Sequence, residues 1–347
     1  MDKIYIIHEY GAPTHFYALD CLLRSKGIHS VKYELNIYGQ LKKAVKKLSF
    51  RSFLRMWHNI GFLLSLPFLK PSKVVLGLAP YHWCLVPLLP FLKRHKVFYF
   101  TSFICWDGSR QVHHAGPRIV GLWHDFLIHH VAHIFAVSQR SRSELIRNGL
   151  SSESGVTVVG HSYITRPEVS KCHRKDNRFI YVGDLKPIKG IEELLACFRA
   201  RPDAHLTIIG KGPLEDYVKG VESSCPNIHY VGYISDQQVL FRHYMDHSFF
   251  ILNSKRTANS EELFGMVLIE ASACGLVPLS ANHSGPKEII SNDVNGILFE
   301  EGKLSSAIDE CMTWSEERYE RIRTAAIENG RQYYVDKMAS RWSSVLE

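Results

Sequence analysis

Three apolar runs in the second half of the chain each stop at a glycine: Phe179-Ile180-Tyr181-Val182-Gly183, Leu206-Thr207-Ile208-Ile209-Gly210 and Ile228-His229-Tyr230-Val231-Gly232. Helical stretches, the first of them Ile191–Arg199, separate these runs. Strand, glycine, helix and strand again is the pattern of a doubly wound parallel sheet, in which each helix carries the chain back for the next strand. The first half repeats the theme. Lys3–His8, Ser30–Tyr33, Val74–Leu78, Val97–Thr101, Val131–Ser138 and Val156–Val159 read as strands, several of them apolar enough to be covered on both faces. Helices are expected over Thr14–Lys26, Trp83–Leu92 and from Ser138, as N-cap, to Arg147. At 347 residues the chain is long for a single core and suits two domains. The polar stretch Arg166–Asn177 is the natural linker, which places the domains at 1–165 and 166–330. A helical segment, Tyr319–Leu346, follows, and its end (331–347) is set apart as a third piece.

Charge separates the same two halves. Residues 1–165 carry a net +12 and residues 166–347 a net −4, within an overall +8. The basic excess gathers around residues 41–58, where Lys42, Lys43, Lys46, Lys47, Arg51 and Arg55 alternate with Leu41, Val45, Leu48, Phe53, Leu54 and Trp57. Such a stretch is ordinarily a core-facing helix with a solvated basic face. Its crowding of aromatics and cations, followed directly by the apolar Ile60–Leu69, also suits peripheral contact with a membrane surface through residues 41–70. No nucleic-acid-binding motif accompanies the charge, so nucleic acid is not expected as a partner. The eight cysteines show no C-x-x-C pair, and the nineteen histidines show no ligand spacing, so neither a disulfide framework nor a metal site is expected. The first ten residues read as a strand and not a signal peptide, and no stretch reaches the length of a membrane span. A reduced cytoplasmic setting follows.

The most informative stretch is Glu261-Glu262-Leu263-Phe264-Gly265-Met266-Val267-Leu268-Ile269-Glu270-Ala271. On one helix, Glu262 and Glu270 would face the same way about 12 Å apart, able to touch two parts of one long ligand. Phe264, Gly265 and Met266 would form the first turn, where free N–H groups and the dipole favour a phosphate. Two glutamates at this spacing ordinarily mean one acid at a helix start and one in solvent. Here the register continues through a strand at Val277–Ala281, a second glycine-opened helix at Ser284-Gly285-Pro286-Lys287-Glu288-Ile289-Ile290, and an Asn295-Gly296 turn before Ile297-Leu298-Phe299.

This run of about forty residues resembles the donor-binding signature of the retaining GT-B-fold glycosyltransferases of family 4, a glutamate, seven residues, a second glutamate, then a strand and a Gly-Pro turn ahead of another glutamate. The three glycine-ended strands resemble that family's C-terminal domain, and Val131–Val159 the close of its N-terminal domain. The resemblance implies two Rossmann-like domains with a cleft between them and a final helix crossing back to the first. It implies a nucleotide-sugar donor, UDP- or GDP-linked, with no cofactor and no metal. Lys189, in Gly183-Asp184-Leu185-Lys186-Pro187-Ile188-Lys189-Gly190, matches the family lysine that takes the diphosphate. Glu270 matches the carboxylate on the ribose hydroxyls, and Glu262 the one nearer the transferred sugar. Gly183, Lys186, Gly210, Phe264, Gly265 and Met266 complete the expected donor contacts, with Gly11 at the first β-to-α turn. Retention by front-face attack, in which the leaving phosphate takes the acceptor's proton, needs no separate protein base.

The chain departs from the family at three places. Asp184 stands where an arginine is usual, with Lys186 two residues on as a replacement charge. No histidine follows Val97–Thr101, leaving Asp107, His113 and His114 as loop candidates. Gly160-His161-Ser162 stands where Asn-Gly is common, which makes Asp107, His114 and His161 the acceptor-side candidates. The expected activity is transfer of a hexose-type sugar to a saccharide, lipid-linked at the inner membrane face, in surface-polysaccharide assembly. A soluble sugar acceptor on the same fold is one alternative. A non-catalytic nucleotide-sugar-binding subunit is another, favoured by Asp184 and the absent histidine. A dehydrogenase is disfavoured, because no G-x-G-x-x-G opens either domain.

Overall fold

The computed structural model describes residues 3–9, 13–37, 41, 50–106, 115–169, 175–257 and 261–347. In the first unit the strands are β1 (Lys3–His8), β2 (His29–Glu34), β3 (Lys73–Gly77), β4 (Lys96–Thr101), β5 (Val131–Ala136) and β6 (Val156–Val158). They form one parallel sheet in the order β2-β1-β3-β4-β5-β6. Its helices are α1 (Tyr17–Ser25), α2 (Phe50–Ser65), α3 (Leu89–Leu92), α4 (Pro117–His130) and α5 (Gln139–Arg147). Ser138 caps α5, accepting from the Ser141 N–H at 3.2 Å. The Trp83–Leu92 helix expected from sequence is a 3-10 turn, Trp83–Leu88, running into the short α3; Pro87 and Pro90 remove N–H donors that a continuous α-helix needs.

The second unit repeats the architecture. Its strands β7 (Arg178–Val182), β8 (His205–Ile209), β9 (Ile228–Gly232), β10 (Phe249–Leu252), β11 (Val277–Ala281) and β12 (Ile297–Phe299) are all parallel, in the order β12-β11-β10-β7-β8-β9. The helices are α6 (Ile191–Arg199), α7 (Glu215–Glu222), α8 (Gln237–Met245), α9 (Met266–Ala273), α10 (Ser284–Ile289), α11 (Leu304–Met312) and α12 (Glu316–Arg331), and the short α13 (Val335–Ala339) begins in this unit and ends in the first. Strands such as Phe249–Leu252 are buried at every position, which only a sheet covered on both faces requires.

The two units comprise Met1–Ser162 with Met338–Glu347, and Tyr163–Lys337. The helix expected over Tyr319–Leu346 breaks after Arg331. Just beyond the break the backbone pairs with Tyr163 instead: the Tyr163 N–H donates to the Tyr333 carbonyl at 3.3 Å and its carbonyl accepts from the Val335 N–H at 3.1 Å, a strand-like bridge centred on Tyr334. Beyond it, Met338 and Trp342 are buried in the first unit's core, with the Trp342 ring 4.5 Å from Phe135 and 5.6 Å from Phe100. Burying a large apolar side chain contributes roughly 2–3 kcal/mol, so this segment is anchored by its own packing.

Among the described residues no helix is long and apolar enough to cross a membrane. Helix α2 is nevertheless unusual. It turns Met56, Asn59 and Phe62 inward and leaves Phe50, Phe53, Leu54, Trp57 and Leu64 exposed, with Phe68 just beyond it 86% accessible.

Candidate functional site

In a doubly wound sheet the strand whose two neighbours are reached by crossovers of opposite direction leaves a crevice at its carboxyl end. In the second unit that strand pair is β7 and β10, and the loops leaving both carry the residues of interest. After β7, Pro187–Lys189 forms a 3-10 turn closed by Gly190 in the left-handed region at φ +66°. A side chain there would be strained, and its Cβ would lie 2.2 Å from the Asn253 carbonyl oxygen. That close approach brings the turn against Asn253 and Ser254, which follow β10.

Lys189 is thereby placed beside two acceptors. Its Nζ donates to Glu262 Oε2 at 2.7 Å and to Ser254 Oγ at 3.3 Å, and Ser254 Oγ donates to the same carboxylate oxygen at 3.1 Å. Both side chains of the pair are partly open to solvent, Lys189 at 29% and Glu262 at 17%. The Glu262 backbone is fixed from the other side. Its N–H donates to His283 Nδ1 at 3.1 Å and its carbonyl accepts from the Gly285 N–H at 3.0 Å. Because a backbone N–H only donates, His283 Nδ1 is unprotonated, Nε2 carries the hydrogen, and it donates to Glu301 at 2.9 Å. Glu261 points away from this group and holds the start of α10 through the Ser284 hydroxyl and N–H.

The expectation that Glu262 and Glu270 share one helix is corrected. α9 begins at Met266, and Gly265 precedes it at φ +86°, a conformation that cannot be continued as right-handed helix. Glu262 therefore sits in the preceding loop, free to reach Lys189, while Glu270 lies in the helix with only 7% of its surface accessible. Phe264 is buried against the Tyr333 ring at 5.8 Å, and Met266 is partly exposed at the helix start. Burial pushes the Glu270 carboxyl up to about 7, and a hydrogen bond from Gln237 Nε2 at 2.9 Å works against that shift. Gly183 and Gly210 leave the adjacent strands β7 and β8, the Gly183 N–H donating to Ile209. Lys186 pairs with Asp184 at 2.5 Å, both side chains about half exposed, so its charge is already compensated.

In the first unit, Gly11, Asp107 and His114 lie outside the described residues. His161 is described: its ring is 4.8 Å from that of His15, and burial, then the His15 charge, pushes its pKa down to about 3. Sequence reasoning missed what lies next to it. A cavity of about 190 Å³ opens at the carboxyl ends of β1, β3 and β4, lined by His8, Glu9, His15, Thr101, Ser102 and Phe103 among others. Glu9 is buried there, its carboxylate accepting from the Ala79 N–H at 3.3 Å and lying 3.9 Å from His82. His8 is held near 4, first by burial and then by His15 and Lys32. His8 ends, and Glu9 follows, a strand that looks merely apolar, so only the strand order assigns them to a crevice. Among the described residues no group of three or more His, Cys, Asp or Glu is arranged to hold a metal ion.

Residues 165–333, nearly the whole second unit, match the family model described as glycosyl transferases group 1. This unit is a group 1 glycosyl transferase domain. Among curated relatives, the O-antigen biosynthesis glycosyltransferase WbnH of Escherichia coli is 27% identical over 217 residues, which is 61% of this chain and 59% of the relative. The capsular polysaccharide biosynthesis glycosyltransferase CapM of Staphylococcus aureus is 23% identical over 60% of this chain and 58% of its own length. The match thus spans about three fifths of these relatives. Among solved structures, Anabaena HepE in complex with UDP superposes with a TM-score of 0.69 at 16% identity over 100% of this chain and 99% of its own. Sucrose-phosphate synthase of Thermosynechococcus elongatus does so at 0.72 and 15%, over 100% and 98%. Likeness at that identity establishes the fold, a GT-B arrangement of two doubly wound parallel sheets. The group 1 domain is the unit that carries Lys189, Glu262 and Glu270.

Proposed function

We propose that the chain is a retaining glycosyltransferase that moves a hexose-type sugar from a UDP- or GDP-sugar to a saccharide, lipid-linked, in the assembly of a cell-surface polysaccharide. The observation that carries this is the grouping of Lys189, Ser254 and Glu262 at the carboxyl edge of β7 and β10, beside the start of α9, in the unit that also holds Glu270. Cleaving a sugar–phosphate bond builds negative charge on the departing diphosphate and positive charge on the sugar. Lys189 and the first N–H groups of α9 answer the first, without a metal ion. Glu262 answers the second and binds sugar hydroxyls, while Glu270 accepts from the ribose. Gly183, Gly210, Phe264, Gly265 and Met266 shape the donor pocket, and Lys186 reaches the phosphates only by leaving Asp184. The names of WbnH and CapM, and the UDP and UDP-glucose complexes of HepE, support a nucleotide-sugar donor and a polysaccharide product.

In this reading residues 166–330 bind the donor and residues 1–165 the acceptor, with 331–347 returning to the first domain. The cavity bearing His8, Glu9 and His15 offers an acceptor sugar buried acceptors and donors, and His161 adjoins it through the His15 ring; Gly11, Asp107 and His114, outside the described residues, are kept as acceptor-side candidates from sequence alone. The experiment is thermal unfolding against a panel of nucleoside diphosphates and nucleotide sugars, followed by transfer to lipid-linked and lipid-free saccharides. Ligand at a hundredfold its Kd adds about 2.7 kcal/mol to the folded state, a shift easily resolved. Binding of one nucleotide without transfer to any saccharide would favour the non-catalytic reading, and turnover on lipid-free saccharides alone would favour a soluble acceptor.

The stripe Phe50, Phe53, Leu54, Trp57 and Leu64, continued by Phe68, repeats at i, i+3, i+4, i+7 and i+14, so it is one continuous outward face of α2, flanked by exposed Arg51 and Arg55. Such a face suits the headgroup region of an anionic membrane at the cytoplasmic side. Lys42, Lys43, Lys46 and Lys47 lie outside the described residues and precede it directly in sequence. Replacing Trp57, Leu64 and Phe68 together with serine is expected to cut flotation with phosphatidylserine-containing vesicles at least tenfold while leaving nucleotide binding intact. Unchanged flotation would reject the membrane contact.

A further inference from the structure

Glu270 does not stand alone in the second unit. α8 is started by Asp236, whose Oδ1 accepts from the N–H groups of Gln238 and Val239 at 2.8 and 3.1 Å, and this cap fixes the first helical residue, Gln237. From there the Gln237 amide spans two elements. Its Nε2 donates to Glu270 Oε1 at 2.9 Å, and its Oε1 accepts from the Thr165 hydroxyl at 2.6 Å. Thr165 follows Tyr163, whose bridge to Tyr334 and whose hydroxyl bond to the Gly330 carbonyl tie that segment to the end of α12.

We propose that Gln237 is a positioning residue for Glu270, and that Thr165 orients Gln237, so that the buried carboxylate presents a fixed acceptor edge to a ligand's paired hydroxyls. This rests on the reading of Glu270 as a donor contact. The chemistry follows from the asymmetry of a primary amide, which donates at one end and accepts at the other. With the Thr165 hydroxyl donating to Oε1, the NH₂ end faces Glu270 and favours the ionised carboxylate. An amide without that anchor is free to turn its oxygen toward Glu270, a partner that only the protonated acid can use.

The other groups around Glu270 leave this role to Gln237. On α8, Tyr244 is pushed up by burial first and then by Glu270, and stays uncharged; Cys274, beyond the end of α9, behaves the same way. On α12, the buried Arg323 is turned to the Gly275 carbonyl and to Glu320. α10 contributes Lys287 and Glu288, both exposed, and β10 and β11 contribute no titratable side chain. Arg166, beside Thr165, is paired with Asp336 at 2.9 Å and lies over the Tyr334 ring. Gln237 is thus the hydrogen-bond partner that draws the Glu270 carboxyl back toward its ordinary range.

The test is the pH profile of unfolding free energy from pH 4.5 to 8.5 for the parent, Gln237→Ala, Thr165→Val and Thr165→Ser, with the affinity for UDP and GDP followed over the same range. Stability of the parent should fall as pH rises through about 7, because a carboxyl raised in the folded state is fully favourable only below its unfolded value. Gln237→Ala should move that midpoint up by about one unit, which lowers the ionised fraction at pH 7 from about a half to about a tenth and nucleotide affinity there by about fivefold. Thr165→Val should move it less in the same direction, and Thr165→Ser should restore it. A variant that is destabilised equally at every pH, with its midpoint unmoved, would overturn the proposal. If the midpoint moves as described but neither nucleotide binds the parent at any pH, the positioning stands and the donor reading fails. If a nucleotide binds with an unmoved midpoint in both Gln237→Ala and Thr165→Val, the reverse holds.

Discussion

Glu270→Gln is expected to yield a protein that is more stable than the parent at pH 8 and that no longer binds a nucleotide. The sign follows from the direction of the shift. Burial raises the Glu270 carboxyl from its ordinary 4.5 to about 7. A group raised in the folded state contributes its full stability below the unfolded value and loses it as pH climbs through the folded value. Between pH 4.5 and 7 the folded protein therefore gives up stability with each unit, at about 1.4 kcal/mol per unit, for a total of about 3 kcal/mol by pH 8. Glutamine keeps the shape and the Gln237 contact but never ionises, so the variant should lack this decline. Urea unfolding of both proteins at pH 4.5 and pH 8 checks it: near-equal stability at the lower pH, and a gap of about 3 kcal/mol at the higher. Parallel pH profiles would show that the carboxyl is not titrating in that range.

That a residue should cost stability where it sits is informative in itself. Natural cores place a buried carboxylate without a cationic partner only where something else selects for it. Among the described residues of the second unit, Glu270 is a buried acid whose first hydrogen-bond partner is a neutral amide, and it lies on the helix whose start faces the crevice. The cost and the proposed role have the same origin, a water-poor site that strengthens hydrogen bonds to a ligand's hydroxyls.

How much of this could be read before the structure was known depends on the length scale of the contact. The strands that end at Gly183, Gly210 and Gly232 were legible, because apolar runs and their punctuation are local. The Glu262 placement was not, because the expectation of one helix from Glu262 to Glu270 ignored the left-handed conformation that Gly265 adopts. Glycine in an apolar run is silent about its φ. Gln237, Ser254, His283 and Thr165 were invisible for a different reason: each acts across a gap of 8 to 72 residues in sequence, and nothing in its own neighbourhood marks it. α2 falls between. Its mixture of aromatics and cations was plain, but the turn of the helix that faces Met56, Asn59 and Phe62 inward is set by packing against the sheet, including the Phe62 ring stacked on Tyr33. His8 and Glu9 needed the strand order, which makes β1 the strand beside the crevice.

Substitution of Glu262 should separate binding from transfer, and substitution of Lys189 should remove both. Lys189 pairs with Glu262 at 2.7 Å, so in the proposed reading a diphosphate must draw the lysine away or share it. A partly exposed ion pair of this kind is worth about 1 kcal/mol at most. Glu262→Gln removes the competitor, and nucleoside diphosphate affinity should stay level or rise by up to about fivefold. Sugar transfer should fall by about a hundred- to a thousandfold, because the carboxylate proposed to face developing positive charge is gone. Lys189→Ala should lose both, with nucleotide affinity down about a hundredfold and transfer by at least as much, since no other cation in that turn is uncommitted: Lys186 is held by Asp184. Calorimetric binding of the diphosphate and initial rates of transfer, measured for both single variants and the double, give a cycle whose coupling reports the competition directly. Coupling near zero, with both single variants failing alike in binding, would mean that Lys189 and Glu262 serve only to hold the loop together and that the phosphate is bound elsewhere.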